Sequence, residues 1–282
     1  MIRITECPRD AMQGVHSFIP TEKKVEYLNQ LLKVGFDTLD FGSFVSPKAI
    51  PQLADTETVL DNLDLSGTNT RLLAIVANMR GCEKAASSSS IHYVGYPFSV
   101  SETFQLRNTN RSVADSYDLV KEMMEICTKN DKELLVYLSM AFGNPYNDNW
   151  NSEIVTGWAL KMADLGVKNI ALADTVGVAS PEDVFNVTSQ VISELNGVAI
   201  GAHLHCKPDN WSQKVSAAHN AGCRQFDTAM KGFGGCPMAE DELVGNLATE
   251  RLVQYLDSKS VDLRINRAEF DKALLQSINV FS

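Results

Sequence analysis

His203 and His205 stand two apart in the run VAIGAHLHC, inside an otherwise apolar segment. In a strand, residues i and i+2 share a face, so both imidazoles point one way and Leu204 the other. Two buried imidazoles on one face are costly unless something binds them, and a divalent metal is the commonest such partner. Hydrogen bonds from core neighbours are the alternative. Asp10 follows a strand-like start and can face the pair, and two histidines with one carboxylate leave positions open for substrate oxygens. That set suits Mg2+ or Mn2+. Zinc would be more natural with a third histidine or a cysteine in a tetrahedral set. Cys206 adjoins His205, but the pleat turns it away.

Other residues carry chemistry of their own. Arg9 beside Asp10 is able to neutralise a developing enolate or carboxylate, or it is an ordinary surface ion pair. Cys236 lies in the glycine-rich run GFGGCPM, either as a proton donor or acceptor or as a small buried side chain. Asp174 in ADTVG positions a ligand or forms a turn before Gly177. Asn246 in GNLATE offers a carbonyl ligand, but local pattern favours it as the cap of the helix that follows.

Eight strand-like runs must hold these residues: Ile2–Glu6, Thr38–Phe41, Leu72–Ala77, Ile91–Tyr96, Leu134–Ser139, Asn169–Ala173, Ala199–His203 and Gln225–Ala229. Amphipathic stretches lie between them. In TEKKVEYLNQLLKVG, Val25, Leu28, Leu31 and Leu32 repeat at helical spacing and Gly35 closes the helix. SEIVTGWALKMADLG is predicted to start on a Ser152 cap and end at Gly166. SPEDVFNVTSQVISELNG starts on Ser180, with Pro181 at the first helical position. Eight strands alternating with helices predict a (β/α)8 TIM barrel, with a doubly wound open sheet as the alternative. No dinucleotide-type glycine fingerprint follows any strand. In such a barrel, chemistry sits at the C-terminal strand ends, where Arg9, Asp10, Asp40, Ser43, Asn78, Tyr137, Ser139, Asp174, Thr175, His203, His205, Asp227, Thr228 and Lys231 fall.

The chain has 282 residues, the size of one such barrel, and is read as one domain over 1–282. Its net charge of −10 argues against nucleic acid or membrane surfaces as partners. No run approaches the ~20 apolar residues that span a bilayer. Six widely spaced cysteines form no CxxC pair, which points to a reducing cytoplasm. No targeting segment is apparent.

The motifs PRDAMQG, SFVSPKAIPQ, ADTVGVASP, HLH, GFGGCP and GNLATE occur in order from about Ile4 to about Leu256. Together they resemble the 3-hydroxy-3-methylglutaryl-CoA lyases, metal-dependent barrels akin to the isopropylmalate and homocitrate synthases. The resemblance implies cleavage of 3-hydroxy-3-methylglutaryl-CoA into acetyl-CoA and acetoacetate. It implies Asp10, His203, His205 and Asn246 as ligands of Mg2+ or Mn2+. Arg9 would stabilise the enolate, Cys236 would handle the proton given to the carbanion, and Asp40 would stand for an active-site glutamate. Asp10 or a histidine, His203 among them, would take the hydroxyl proton. Asp174, Ser43 and Asn108 would position an acyl-CoA substrate, and the expected assembly is a homodimer.

The chain departs from that pattern in several places. Asp40 is one methylene shorter than the usual glutamate, so its contact with Arg9 or substrate is expected to run through water. Leu135 replaces an arginine two residues before the strand-five tyrosine. Met140 and Asn144 replace two cysteines, Cys206 replaces an acid, and one extra residue separates Cys236 from Asn246. Asn108 and Asn110 are kept beside Arg107. Two further readings therefore stand beside the lyase: a related aldolase or Claisen-type enzyme with another substrate, and a barrel that binds a ligand without turnover.

Overall fold

A computed structural model describes residues 1–15, 17–235 and 244–281. Its eight strands are β1 (Arg3–Glu6), β2 (Thr38–Ser43), β3 (Arg71–Ile75), β4 (Ile91–Ser99), β5 (Glu133–Ser139), β6 (Asn169–Asp174), β7 (Ala199–Leu204) and β8 (Gln225–Thr228). Each pairs in parallel with the next, and β8 pairs with β1. The sheet is thus a closed barrel, and the fold is the (β/α)8 barrel, not the open doubly wound sheet. Eleven helices among the described residues surround it: α1 (Pro8–Gln13), α2 (Thr21–Val34), α3 (Thr56–Asp61), α4 (Met79–Ser87), α5 (Glu102–Thr109), α6 (Val113–Lys129), α7 (Ser152–Asp164), α8 (Pro181–Glu194), α9 (Trp211–Asn220), α10 (Thr249–Ser258) and α11 (Arg267–Phe281). No described helix is long and apolar enough to cross a membrane.

Helix boundaries follow local chemistry. In α2, Leu28, Leu31 and Leu32 are buried on one face, and Gly35 ends the helix at φ 81°. That is the left-handed region, where a side chain would add strain. Ser180 and Asp183 form a reciprocal capping box at the start of α8. At α7 the cap is Asn151, whose side chain accepts from Ile154 N; Ser152 is the first helical residue. The expected cap is displaced by one position because asparagine caps at least as well as serine.

Strand alternation divides the buried side chains into two sets. One packs between strands and helices. The other, comprising Leu73, Ile75, Tyr93, Leu135, Tyr137 and Ala171, fills the barrel interior. Leu135, where the resemblance led to the expectation of an arginine, belongs to this interior plug. In β2 the register with β3 shifts between Asp40 and Gly42. Asp40 pairs with Leu73 and Ser43 with Ile75, so the bulge turns both polar side chains inward although they are three residues apart. Gly42 meets a crowded outer face, where a Cβ would lie 2.6 Å from Thr56 Cγ2.

Glu6, on the outward face of β1, ties the barrel seam together. It accepts from Thr228 Oγ1 (3.3 Å), Met230 N (2.8 Å) and Thr249 Oγ1 (2.6 Å). Burial outweighs these bonds and pushes its pKa up to about 8. A pKa raised in the folded state stabilises most below the ordinary carboxylate value, and that stability fades as pH rises through about 8. Wild-type stability is therefore expected to fall with a slope approaching ~1.4 kcal/mol per pH unit from this group between pH 5 and 8. Urea denaturation at each pH checks this. The Glu6→Gln variant should show a shallower slope, and equal slopes would refute the assignment.

Candidate active site

The C-terminal ends of the strands open into a cavity of about 950 Å3. Its lining includes Arg9, Asp10, Ser43, Tyr137, His203 and His205. A second cavity, about 720 Å3, opens where the strands begin, among Arg71, His92 and Lys132, at the opposite end of the barrel.

Within the first cavity the two imidazoles face the same way, with ring centroids 5.3 Å apart. Ligand atoms of Asp10, His203 and His205 all lie within 4.8 Å of one another. Each is held from behind. His203 Nδ1 lies 3.1 Å from Asp227 Oδ2, which fixes its Nε2 as the nitrogen facing the cluster. Asp10 Oδ1 accepts from Arg9 Nη1 (3.0 Å) and Oδ2 from Asn246 Nδ2 (2.6 Å). His205 pairs with Asn246 through an isolated antiparallel bridge and hydrogen-bonds the Thr175 backbone.

Charge states suit a cation. Burial works against ionised Asp10, but Arg9, His203, His205 and Asn246 together hold its pKa below the usual carboxylate value. Burial and the neighbouring His203 lower His205 to about 4, so it is a neutral ligand at neutral pH. His203 moves the other way: burial disfavours its charge, but the Asp227 hydrogen bond and carboxylate, with Asp10 behind them, raise it. One carboxylate and two imidazoles at coordinating separation, one imidazole oriented by a further carboxylate, fit a divalent ion.

Arg9 is a buried hub, not a surface pair. Nε donates to both Asp40 oxygens at 3.2 and 3.0 Å, and Nη2 donates to Asp40 Oδ2 at 2.6 Å. Nη1 reaches Asp10 and also Gln13. The contact expected to run through water is therefore direct: the β2 bulge brings the shorter carboxylate to the guanidinium. Burial drives Asp40 up to about 6 against the pull of Arg9, with Asp10 and Asp227 adding repulsion.

Two expectations are corrected. Asn246 does not cap α10: the residue before that helix is Ala248, with no side-chain cap bond, while the Asn246 amide donates to Asp10 and to Phe233 O (2.9 Å). The loop needs its glycine here, because a Cβ on Gly234 (φ 93°) would lie 2.8 Å from Asn246 Nδ2 and 2.9 Å from Asp10 O. Asp174 does not reach the cavity. It pairs with Leu204 in register and points outward, where Lys214 Nζ donates to its Oδ2 at 2.6 Å. Lys214 also donates to His205 O (3.0 Å) and Gly177 O (3.1 Å), so the ion pair braces the backbone behind the histidine. Ser43 and Asn108 line the cavity, and Ser43 Oγ donates to Ile75 O. Cys236 lies outside the described residues.

The sequence places Asp227 at a strand end without giving it a task, and it gives no role to Gln13, Lys214 or Cys7. Asp227 was detectable by period, since it lies on the inward face of β8 opposite His203. Gln13 lies four residues after Arg9, one helical turn on. Cys7 shares a 4.8 Å neighbourhood with His203 and Asp227, and burial pushes its thiol pKa up. Lys214 had no local signal.

A closed parallel barrel carrying an acid–imidazole cluster at its C-terminal mouth defines a TIM-barrel enzyme. The HMGL-like family model matches residues 2–274, and the chain belongs to that family. It is 32% identical over 259 residues to the hydroxymethylglutaryl-CoA lyase YngG of Bacillus subtilis, covering 92% of this chain and 85% of the relative. It is 32% identical over 272 residues to the mitochondrial hydroxymethylglutaryl-CoA lyase of Mus musculus, covering 94% and 81%. Among solved structures, an HMG-CoA lyase from Acinetobacter baumannii in complex with coenzyme A and 3-methylmalate superposes with a TM-score of 0.92 at 29% identity, covering 100% of this chain and 91% of that one.

The Asp174–Lys214 pair gives a stability test. Lys214→Met strands a buried carboxylate and should cost about 3–5 kcal/mol in urea unfolding. Combining it with Asp174→Leu should recover part of that loss, and a double variant as unstable as the sum of both changes would show that the two do not act as a pair.

Proposed function

We propose that this protein cleaves 3-hydroxy-3-methylglutaryl-CoA into acetoacetate and acetyl-CoA, with Mg2+ or Mn2+ held by Asp10, His203, His205 and Asn246. The carrying observation is the convergence of Asp10, His203 and His205 donor atoms within 4.8 Å at the floor of an open cavity. A divalent ion bound there supplies Lewis acidity that eases loss of the substrate's 3-hydroxyl proton.

The protein's own groups account for the rest. Loss of the hydroxyl proton lets the C2–C3 bond break. C3 becomes the ketone of acetoacetate, and the bonding pair passes through C2 to the thioester oxygen as an enolate. Each imidazole has one nitrogen committed to a hydrogen bond and the other facing the cluster. Neither keeps a lone pair for the proton once an ion is bound. Asp10 keeps spare acceptor capacity, which favours it as the base. Arg9 spends four of its five N–H groups on Asp40, Asp10 and Gln13, leaving one on Nη2 for the enolate oxygen. Cys236 is the group this reading gives the proton that converts C2 into the acetyl methyl. Arg107, Asn108 and Arg111 at the cavity rim suit the phosphates of an acyl-CoA.

Leu135 packs in the interior plug and does not line the cavity, so its departure from the lyase pattern leaves the reacting centre intact. Purified protein given the CoA ester and Mg2+ or Mn2+ should release acetoacetate. Chelation should abolish release and readdition restore it. Asp227→Asn, which removes the anion behind His203, should weaken metal activation about 10- to 100-fold in the metal concentration required. Cleavage untouched by a strong chelator, or no cleavage with metal present, would count against this reading.

A further inference from the structure

Tyr137 carries a hydroxyl that the fold leaves unpaired. The residue is 7% exposed on β5, and its Oη is buried with no hydrogen-bond partner among the described residues. Buried hydroxyls are rarely left so, because the lost hydration is uncompensated. Of the described side chains with such an orphaned atom, Tyr137 is the one that lines the cavity. Its ring is fixed: it meets His203 edge-on at 5.7 Å and 86°, and packs in the interior plug with Ile75 and Leu135. No hydrogen bond joins the hydroxyl to Asp40, whose oxygens accept from Arg9, or to Asp227, which meets His203 through Oδ2.

The hydroxyl stays protonated. Burial, followed by Asp227, Cys7 and Asp40, drives its pKa well above the usual phenol value, and Arg9 opposes this only in part. An un-ionised phenol with no partner of its own, on a residue that lines the same cavity as Arg9, is a donor waiting for an acceptor. The lyase chemistry supplies one. The thioester oxygen gains negative charge as C2–C3 breaks, and oxyanion sites are built from preorganised donors. Arg9 has a single N–H left for it.

Resting on the lyase reading, we propose that the Tyr137 hydroxyl is a catalytic donor: with Arg9 Nη2, it hydrogen-bonds the thioester oxygen that becomes the enolate oxygen. No proton leaves the phenol; the bond strengthens as charge develops and relaxes when C2 is protonated.

The test is Tyr137→Phe, which removes one oxygen and keeps the ring. With the wild type cleaving the CoA ester, the variant's kcat should fall about 100-fold, with KM within about threefold. Exchange of the acetyl-CoA methyl hydrogens in D2O, which reports enolisation without C–C cleavage, should slow in parallel. The thermal midpoint of the ligand-free variant should equal or exceed that of the wild type, because an orphaned polar atom has been removed. A merely structural hydroxyl would lower it. Full kcat in the variant, or a loss of activity that tracks a lower midpoint, overturns the inference while the lyase reading stands. A wild type that releases no acetoacetate overturns both.

Discussion

Three carboxylates, Asp10, Asp40 and Asp227, point into a barrel mouth where a single guanidinium, Arg9, is in direct contact with two of them. Charges of one sign cannot be gathered out of water without compensation. Arg9 answers Asp40 and part of Asp10, and His203 meets Asp227 through Nδ1, which leaves its Nε2 toward Asp10. Negative charge is left over on the side where Asp10 meets His205, which itself resists protonation. That imbalance is what a divalent ion resolves. The rest of the mouth is arranged around it: the Gly234 backbone passes close to Asp10, Asn246 donates to the carboxylate, and the Lys214–Asp174 pair braces the strand end from outside.

Much of the scaffold was readable from the residues. All eight strands lie within a few residues of the short apolar runs that predict them, because run length and β-branched or aromatic content separate such runs from the longer amphipathic helices between them. Closure was less apparent, since alternation of strands and helices serves open and closed sheets equally; only the β8–β1 pairing decides it. The β2 bulge also had no local signal. It alone explains how Asp40 and Ser43, at odd spacing, share the inward face.

The site was readable where chemistry repeats at the strand period and opaque where it depends on contacts distant in sequence. The shared face of His203 and His205 followed from spacing of two. The tie between Asn246 and Asp10 spans 236 residues, and local pattern pointed to a helix cap instead. Asp174 illustrates the same limit: an acid at a strand end reads as part of a site, but one step of the pleat turns it to the outer face, where Lys214 meets it. For Arg9 the residues left an active-site cation and a surface ion pair both open, because burial of a guanidinium becomes evident only once Asp40 and Gln13 are brought beside it.

The chemistry proposed for this barrel depends on a divalent ion in its mouth. Anomalous diffraction from a crystal soaked in Mn2+ tests it most directly. One strong peak is expected within about 2.0–2.4 Å of an Asp10 carboxylate oxygen and of one nitrogen each from His203 and His205. A fully occupied ion elsewhere in the barrel, or a saturating soak with no peak between these three residues, would contradict it.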